Sequence, residues 1–214
     1  MAIRKPLERR LTLRRPPLRR QRREAREWRP VRRVVTRLAA SLVAAAVATA
    51  ALAQETPRAY DVPGRGKLQF LVPEAWFDEP RTHPGRLPSV RFFDKLGPQP
   101  PFDMSITIAW STTRPPSYAN PARLRAFVAQ SAEDVAPAAI EARLDLHEIP
   151  DAGGLGYYFR ATILAPPPGE WPNLTRGAIV IGDLLVAFTI LAARPGAPEV
   201  ERALKMLTSA RRAP

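Results

Sequence analysis

Two histidines, His83 and His147, are the side chains in this sequence best suited to acid–base or metal chemistry. A metal site usually gathers three or four ligands, but the sequence contains neither the H-E-x-x-H spacing nor any cysteine. No serine lies in a G-x-S-x-G turn either. We therefore predict no metal ion, no cofactor and no catalytic residue. A hydrolase whose histidine, serine and acid lie far apart in the sequence is the enzymatic alternative.

Two pairs of adjacent acids could in principle supply the two carboxylates of a glycoside hydrolase: Asp78 with Glu79, and Glu133 with Asp134. Adjacent residues rarely face each other. The first pair is predicted in a loop and the second on the exposed side of a helix, so both are interpreted as solvated charges. The GGLG run at 153–156 joins two strands, so it lacks the helix N-terminus that a phosphate site uses.

Aromatic side chains give the best candidate for a binding surface. Tyr157, Tyr158 and Phe159 occur in one predicted strand, and Trp171 lies in the proline-rich loop at 166–172. Strand alternation sends Tyr158 to the face opposite its two aromatic neighbours. Tyrosine and tryptophan combine an apolar body with a polar tip, which suits them to binding. We predict a possible binding surface at Tyr158 and Trp171, and core packing for most of the aromatics.

An export signal is predicted in the N-terminal part of the chain. A basic segment ends at Arg37, an uncharged apolar segment covers 38–52, and the small residues Ala51 and Ala53 precede Gln54. Small residues at these two positions are typical of a cleavage site. We therefore predict a mature chain that begins at Gln54 and a periplasmic or secreted location.

Three features of export stay open in the sequence. The pair Arg32 and Arg33 resembles a twin-arginine signal, although the chain has 29 arginines against 4 lysines. The basic segment is also long, which is explained by a later translation start or by a dispensable arm. The apolar segment is shorter than the roughly 20 residues that cross a bilayer. An uncleaved segment would make the protein a membrane-tethered accessory factor, so we expect membrane contact only during export or in that case.

The net charge of +13 belongs almost entirely to the export segment. Residues 54–214 contain 18 basic and 17 acidic residues, a net charge of +1. Binding to nucleic acid needs a basic field that this part does not have, so nucleic acid is excluded as a partner. Because cysteine is absent, packing must stabilise the fold, and no lipoprotein acylation site follows the apolar segment. We expect a monomer.

Alternating apolar residues predict strands, and apolar residues at helical spacing predict two helices. Asn120 and Pro121 are typical of a helix start, and this helix should end by Pro137. The second helix covers 198–209. The stretch 78–88 is predicted as a loop. The predicted strands are 60–62, 67–72, 90–93, 102–110, 140–147, 157–164, 178–181 and 184–191.

The order of the elements indicates an α+β fold, a mostly antiparallel sheet with amphipathic helices packed against it. The hairpin at 178–191 is apolar at nearly every position, so its strands should lie in the middle of the sheet. The predicted organisation is a basic arm and signal (1–53), a short linker (54–58), one domain (59–210) and a tail (211–214).

Four segments carry a resemblance to a known family: PEAW at 73–76, GYYFRATI at 156–163, GAIVIGDLLVAFTILA at 177–192 and ALKMLTSA at 203–210. They resemble the PsbP-like superfamily, which includes extrinsic photosystem II proteins, a Ran-binding nuclear import factor and many small exported bacterial domains. The resemblance covers 59–210 and implies an α/β/α sandwich with a non-catalytic binding or assembly role. No functional site of the family matches here residue by residue.

The functional hypothesis from the sequence is an exported, periplasmic, non-enzymatic binding or accessory domain. Its partner would be a protein or a small ligand, held at an edge or a loop surface. The alternatives are the hydrolase with a dispersed active site and the membrane-tethered accessory factor.

Overall fold

The computed structural model of the protein describes residues 54–94, 101–111, 117–149 and 155–213. The predicted signal with Ala51 and Ala53 lies outside these residues, as do the first two glycines of the 153–156 turn. Export and cleavage therefore stay predictions. None of the helices in the described ranges combines the length and the apolar character that crossing a membrane requires.

A seven-stranded sheet forms the centre of the described fold. Its strands are β3 (Trp76–Arg81), β4 (Ser89–Asp94), β5 (Phe102–Trp110), β6 (His147–Glu148), β7 (Gly156–Thr162), β8 (Asn173–Ile181) and β9 (Leu184–Ala192). The spatial order is β3-β4-β5-β9-β8-β7-β6, and every neighbouring pair is antiparallel. The apolar hairpin β8-β9 lies in the middle of the sheet, as its sequence predicts.

A smaller sheet and two α-helices complete the described part of the chain. The smaller sheet contains β1 (Glu55–Val62), β2 (Gly66–Pro73) and β10 (Arg211–Ala213), with β2 in the middle. The helices are α1 (Pro121–Val135) and α2 (Pro198–Thr208). The predicted start of α1 is confirmed, because the Asn120 carboxamide accepts hydrogen bonds from the backbone N–H groups of Ala122 (2.9 Å) and Arg123 (3.3 Å).

The two faces of the main sheet are covered differently. On one face, α2 and the smaller sheet enclose a large apolar core with strand side chains such as Phe92, Met104, Val186 and Ile190. On the other face, α1 packs chiefly on β7 and β8 through its buried apolar residues. Helices therefore lie on both sides of a mostly antiparallel sheet, and the predicted α+β fold class is confirmed.

The predicted loop at 78–88 is wrong in its first part, because residues 76–81 form the edge strand β3. Pro80 concealed this strand from the sequence pattern. An edge strand pairs on one side only, so a proline without an N–H group is tolerated there.

The predicted strand at 140–147 is also wrong for most of its length. Strand pairing is limited to His147 and Glu148, with a single bridge between Ala139 and Ile163. The Glu141 carboxylate replaces a continued ladder, since it accepts hydrogen bonds from the backbone N–H and the hydroxyl group of Thr162, both at 2.8 Å.

Three strand segments were not predicted: the start of β1 at 55–59, the start of β8 at 173–177, and β10 in the predicted tail.

Candidate ligand-binding groove

The structure separates the two histidines. His83 is exposed in the loop between β3 and β4, where it lines a surface pocket of about 580 Å³ with Arg86 and Trp110. His147 is exposed in β6, with its ring 5.2 Å from that of Tyr158. Within the described ranges, neither imidazole forms a hydrogen bond or an ion pair. No carboxylate or serine lines the described walls of the pocket at His83, so the hydrolase alternative gains no support.

The paired acids do not form a two-carboxylate site either. Asp78 points towards the smaller sheet and Glu79 points to the opposite face of β3, as successive residues of a strand do. Glu133 and Asp134 are exposed on α1. Glu133 and Asp134 are therefore solvated charges. Asp78 and Glu79 instead lie in a strand, and each of them has a protein partner.

The two aromatics of the predicted binding surface, Tyr158 and Trp171, are both half-buried. Tyr158 packs against the core on the α2 side of the sheet. Trp171 precedes Asn173, which lies opposite Thr162 in the β7-β8 ladder. Thr162 is four residues beyond Tyr158, a separation of about 13 Å along a strand. The two aromatics therefore lie at different points of the ladder, and a shared binding surface stays a prediction.

One half of the main sheet carries polar side chains on the side where α1 lies. α1 packs chiefly on β7 and β8 and shares an apolar cluster with Leu185 of β9, so the same side of β3, β4 and much of β5 and β9 is not covered by a described helix. We call this surface the open face. It is defined by Phe77, Glu79, Arg91, Phe93, Asp103, Ser105, Thr107, Ala187 and Thr189, all of which are half-buried or exposed.

A single row of polar residues crosses five strands in register. Thr189 of β9 lies opposite Arg176 of β8 on one side and Ser105 of β5 on the other. Beyond Ser105 the row continues with Arg91 of β4 and Glu79 of β3. Ser105 is exposed although its strand is the third of seven. The row therefore presents hydroxyl and charged groups to solvent in the interior of a sheet.

A groove of about 180 Å³ lies where α1 meets the open face. Its floor is formed by strands β5, β8 and β9, and its wall by one side of α1. The described lining contains four hydroxyl side chains and one arginine but no carboxylate. The lining residues are Ser105, Thr107, Phe127, Val128, Ser131, Arg176, Gly177, Ala187, Phe188 and Thr189.

Arg176 is the charged residue of the described groove lining. Its Nε donates a hydrogen bond to the Thr189 hydroxyl (3.2 Å), which orients the guanidinium group along the row. Arg91, further along the same row, is paired with the Asp103 carboxylate, and a Glu79 carboxylate oxygen lies 3.7 Å from its guanidinium. The positive charge of Arg91 is thus neutralised, whereas no carboxylate in the described residues pairs with Arg176.

A second polar cluster lies between the two sheets, and its groups are paired with one another. Arg58 of β1 donates to the Trp76 carbonyl (3.0 Å) and to the Asp78 carboxylate. The Tyr60 hydroxyl donates to the other Asp78 oxygen (3.0 Å). Burial raises the pKa of the Tyr60 phenol well above its ordinary value, and the negative charge of Asp78 raises it further. These contacts connect the smaller sheet to β3, which indicates a structural role.

The sequence did not single out the groove residues. Ser105 and Thr107 alternate with Met104 and Ile106, a pattern that predicts a strand but no ligand. Arg176 precedes a run of apolar residues and lay outside the predicted strand. The sequence did contain one signal. A single arginine beside an apolar strand of the central hairpin needs an anionic partner, which is either a carboxylate of the protein or a bound ligand.

Comparison with known proteins gives similarity of fold. No family model matches the sequence, and no curated protein matches it. The solution structure of cyanobacterial PsbP (CyanoP) from Synechocystis sp. PCC 6803 is 14% identical, covers 74% of this chain and 93% of its own, and has a TM-score of 0.47. A protein from Bacteroides thetaiotaomicron VPI-5482 is 11% identical, covers 69% of this chain and 45% of its own, and has a TM-score of 0.44. A mutant of the protein Mog1 is 10% identical, covers 72% and 95%, and has a TM-score of 0.39.

These similar structures include a cyanobacterial PsbP, in line with the resemblance that the sequence predicts, and the likeness concerns the fold alone. No binding activity is carried over from these proteins to this chain. The groove itself is therefore the basis for a function.

Proposed function

We propose that this protein is an exported, non-enzymatic binding domain whose ligand lies in the groove beside α1. The observation that carries the proposal is the polar groove at the boundary between covered and uncovered sheet. A polar sheet face alone is no site, because many antiparallel sheets have one solvated face. A concave surface with converging polar groups next to apolar side chains is typical of a small-ligand site.

Two further features support binding rather than catalysis. Neither histidine has an acid or a serine as a hydrogen-bond partner among the described residues, and the groove lining there contains no carboxylate or histidine to move a proton. Hydroxyl groups and an arginine can hold a ligand through hydrogen bonds without reacting with it.

The predicted export signal at 1–53 supports export, which would bring the near-neutral domain to its ligand outside the cytoplasm.

The groove is tested with small organic fragments that include aromatic amides, alcohols, amines and carboxylates. We expect fragments that bind to shift the backbone amide resonances of Ser105, Thr107 and Thr189 in NMR spectra of the protein purified from cells expressing the full chain. The Ser105→Trp variant should lose at least tenfold in affinity for these fragments, because the indole would fill the groove. Thr56→Trp, on the exposed side of β1, is the matched control and should keep full affinity.

The proposal is contradicted if no fragment shifts the groove amides, or if Ser105→Trp leaves the binding unchanged. Circular dichroism melting of both tryptophan variants checks that each one is folded.

Export is tested separately by N-terminal sequencing of the protein after expression of the full chain in a bacterial host. A start at Gln54 in periplasmic material supports the exported form. A membrane-bound product that begins upstream of residue 38 would instead support the membrane-tethered accessory factor.

A further inference from the structure

We infer that the groove binds a small monoanion of the carboxylate class through the guanidinium group of Arg176. This inference rests on the proposed function, since it names the ligand class of the same groove. Three features support it: the charge balance of the half-buried arginines, the geometry of the donors and the size of the groove.

Arg176 differs from the other half-buried arginines of the described residues in having no carboxylate partner. Removing a cation from water is unfavourable unless it is paired, so arginines away from solvent are nearly always paired. A ligand anion would provide the partner that the protein lacks here. The four paired examples are Arg58 with Asp78, Arg65 with Asp183, Arg91 with Asp103 and Arg202 with Glu199.

The hydrogen bonds of Arg176 leave the right donors for a carboxylate. Its Nε donates to Thr189, while the terminal N–H groups form no hydrogen bond with a described residue. A guanidinium group can donate two parallel hydrogen bonds to one carboxylate. The hydroxyl groups of Ser105, Thr107 and Ser131 also line the groove and can donate to the same anion.

The charge and the size of the groove restrict the ligand to a small monoanion with an apolar part. Arg176 supplies a single positive charge, and Arg91, along the row, is already neutralised by Asp103. A phosphate dianion would keep an unpaired charge. Phe127 lies at the rim with 39% of its surface exposed, where an apolar group could pack on it. A cavity of roughly 150 Å³ accepts one benzene-sized ring, so a volume of about 180 Å³ suits a benzoate-sized molecule.

The test compares three probes on the purified protein: benzoate, benzamide and inorganic phosphate. Benzamide has the ring and the shape of benzoate but no charge. We expect benzoate to bind about tenfold or more tightly than benzamide, since hydrogen bonds to an ion are the stronger ones. Benzoate should shift the amide resonances of Ser105 and Thr189, and phosphate should bind more weakly than benzoate.

Variants then assign the difference to Arg176. In Arg176→Gln the preference for benzoate over benzamide should disappear, and in Arg176→Lys it should be reduced, because lysine keeps the charge but not the paired donors. Arg123→Gln, an exposed arginine on α1 outside the groove lining, is the matched control and should bind like the wild type.

The inference is overturned if the wild type binds benzoate and benzamide equally tightly. This comparison does not depend on the folding of any variant. It is also overturned by tighter binding of phosphate than of benzoate, or by an Arg176→Gln variant that keeps the preference. If neutral fragments bind in the groove while benzoate shows no advantage, the ligand class is wrong and the proposed function stands. If no probe of any class binds in the groove, both are wrong.

Discussion

The two faces of the main sheet differ in the burial and the polarity of their side chains. On the face covered by α2 and the smaller sheet, strand side chains such as Phe92 and Ile106 are fully buried. On the open face, the neighbouring residues of the same strands are Arg91, Phe93 and Ser105, which remain in contact with solvent. The covered face provides apolar burial and hence stability. The polar row that crosses the open face ends in β8 at Arg176, which has no carboxylate partner among the described residues and which the proposed anion would pair.

Adjacent phenylalanines of β4 give the sharpest test of this difference. Phe92 is fully buried on the covered face, whereas Phe93 is half-buried on the open face beside Phe77. We expect Phe92→Ala to lower the free energy of unfolding by about 3–5 kcal/mol, because it removes core contacts and leaves a cavity. Phe93→Ala should cost about 1 kcal/mol or less. Denaturant unfolding measures both variants, and equal losses would contradict the distinction between the faces.

Gly177 of β8 has close neighbours on the covered face of the sheet. A Cβ atom at this position would lie 2.2 Å from the Tyr157 carbonyl oxygen and 2.8 Å from Cζ of Phe188. Gly177→Ala should therefore destabilise the protein by about 3 kcal/mol, as overpacking of a core does. The same measurement on Ser105→Ala, where the side chain is exposed on the open face, should show a change within about 0.5 kcal/mol. If the Gly177→Ala variant were as stable as the wild type, strands β7 and β8 would be able to separate and make room for the added methyl group.

The polar cluster between the sheets predicts a dependence on alkaline pH. The pKa of Tyr60 is raised in the folded state, so the folded protein favours the neutral phenol. This contribution is complete below the unfolded pKa of about 10 and is lost as the pH rises above it. Tyr60→Phe should reduce this alkaline loss and should cost about 1 kcal/mol at neutral pH through the lost hydrogen bond to Asp78.

The control for this experiment is Tyr118→Phe, because Tyr118 forms no side-chain hydrogen bond with a described residue. Its stability at neutral pH should change by less than about 0.5 kcal/mol. Identical alkaline transitions for the wild type and Tyr60→Phe would contradict the role of Tyr60.

The sequence predicted the elements whose local signals agree with their surroundings. The Asn120 cap fixed the start of α1, and the apolar run at 184–191 placed β9 in the middle of the sheet. Elements that depend on distant partners were missed. The edge strand β3 contains Pro80, and the segment at 141–146 alternates but forms no strand ladder with a described residue.

The groove could not be predicted for the same reason. Its row of residues exists only because β9 places Thr189 between Arg176 and Ser105, and Ser105 is far from the other two in the sequence. Alternation gives the face on which a side chain lies, but the register between distant strands depends on the whole fold. The chemistry of the open face is thus a property of the sheet rather than of any motif.

The central claim is that Arg176 is retained for binding rather than for stability, and one measurement tests it directly. The free energies of unfolding of the wild type and of Arg176→Met are compared without benzoate and at a concentration about 100 times the dissociation constant of the wild type. Without benzoate, we expect the variant to be as stable as the wild type or up to about 1 kcal/mol more stable, as is common when a functional residue is replaced. With benzoate, the wild type should gain about 2.7 kcal/mol and the variant much less. A variant that is less stable by about 2 kcal/mol without benzoate, or that gains as much from benzoate as the wild type, would contradict the account.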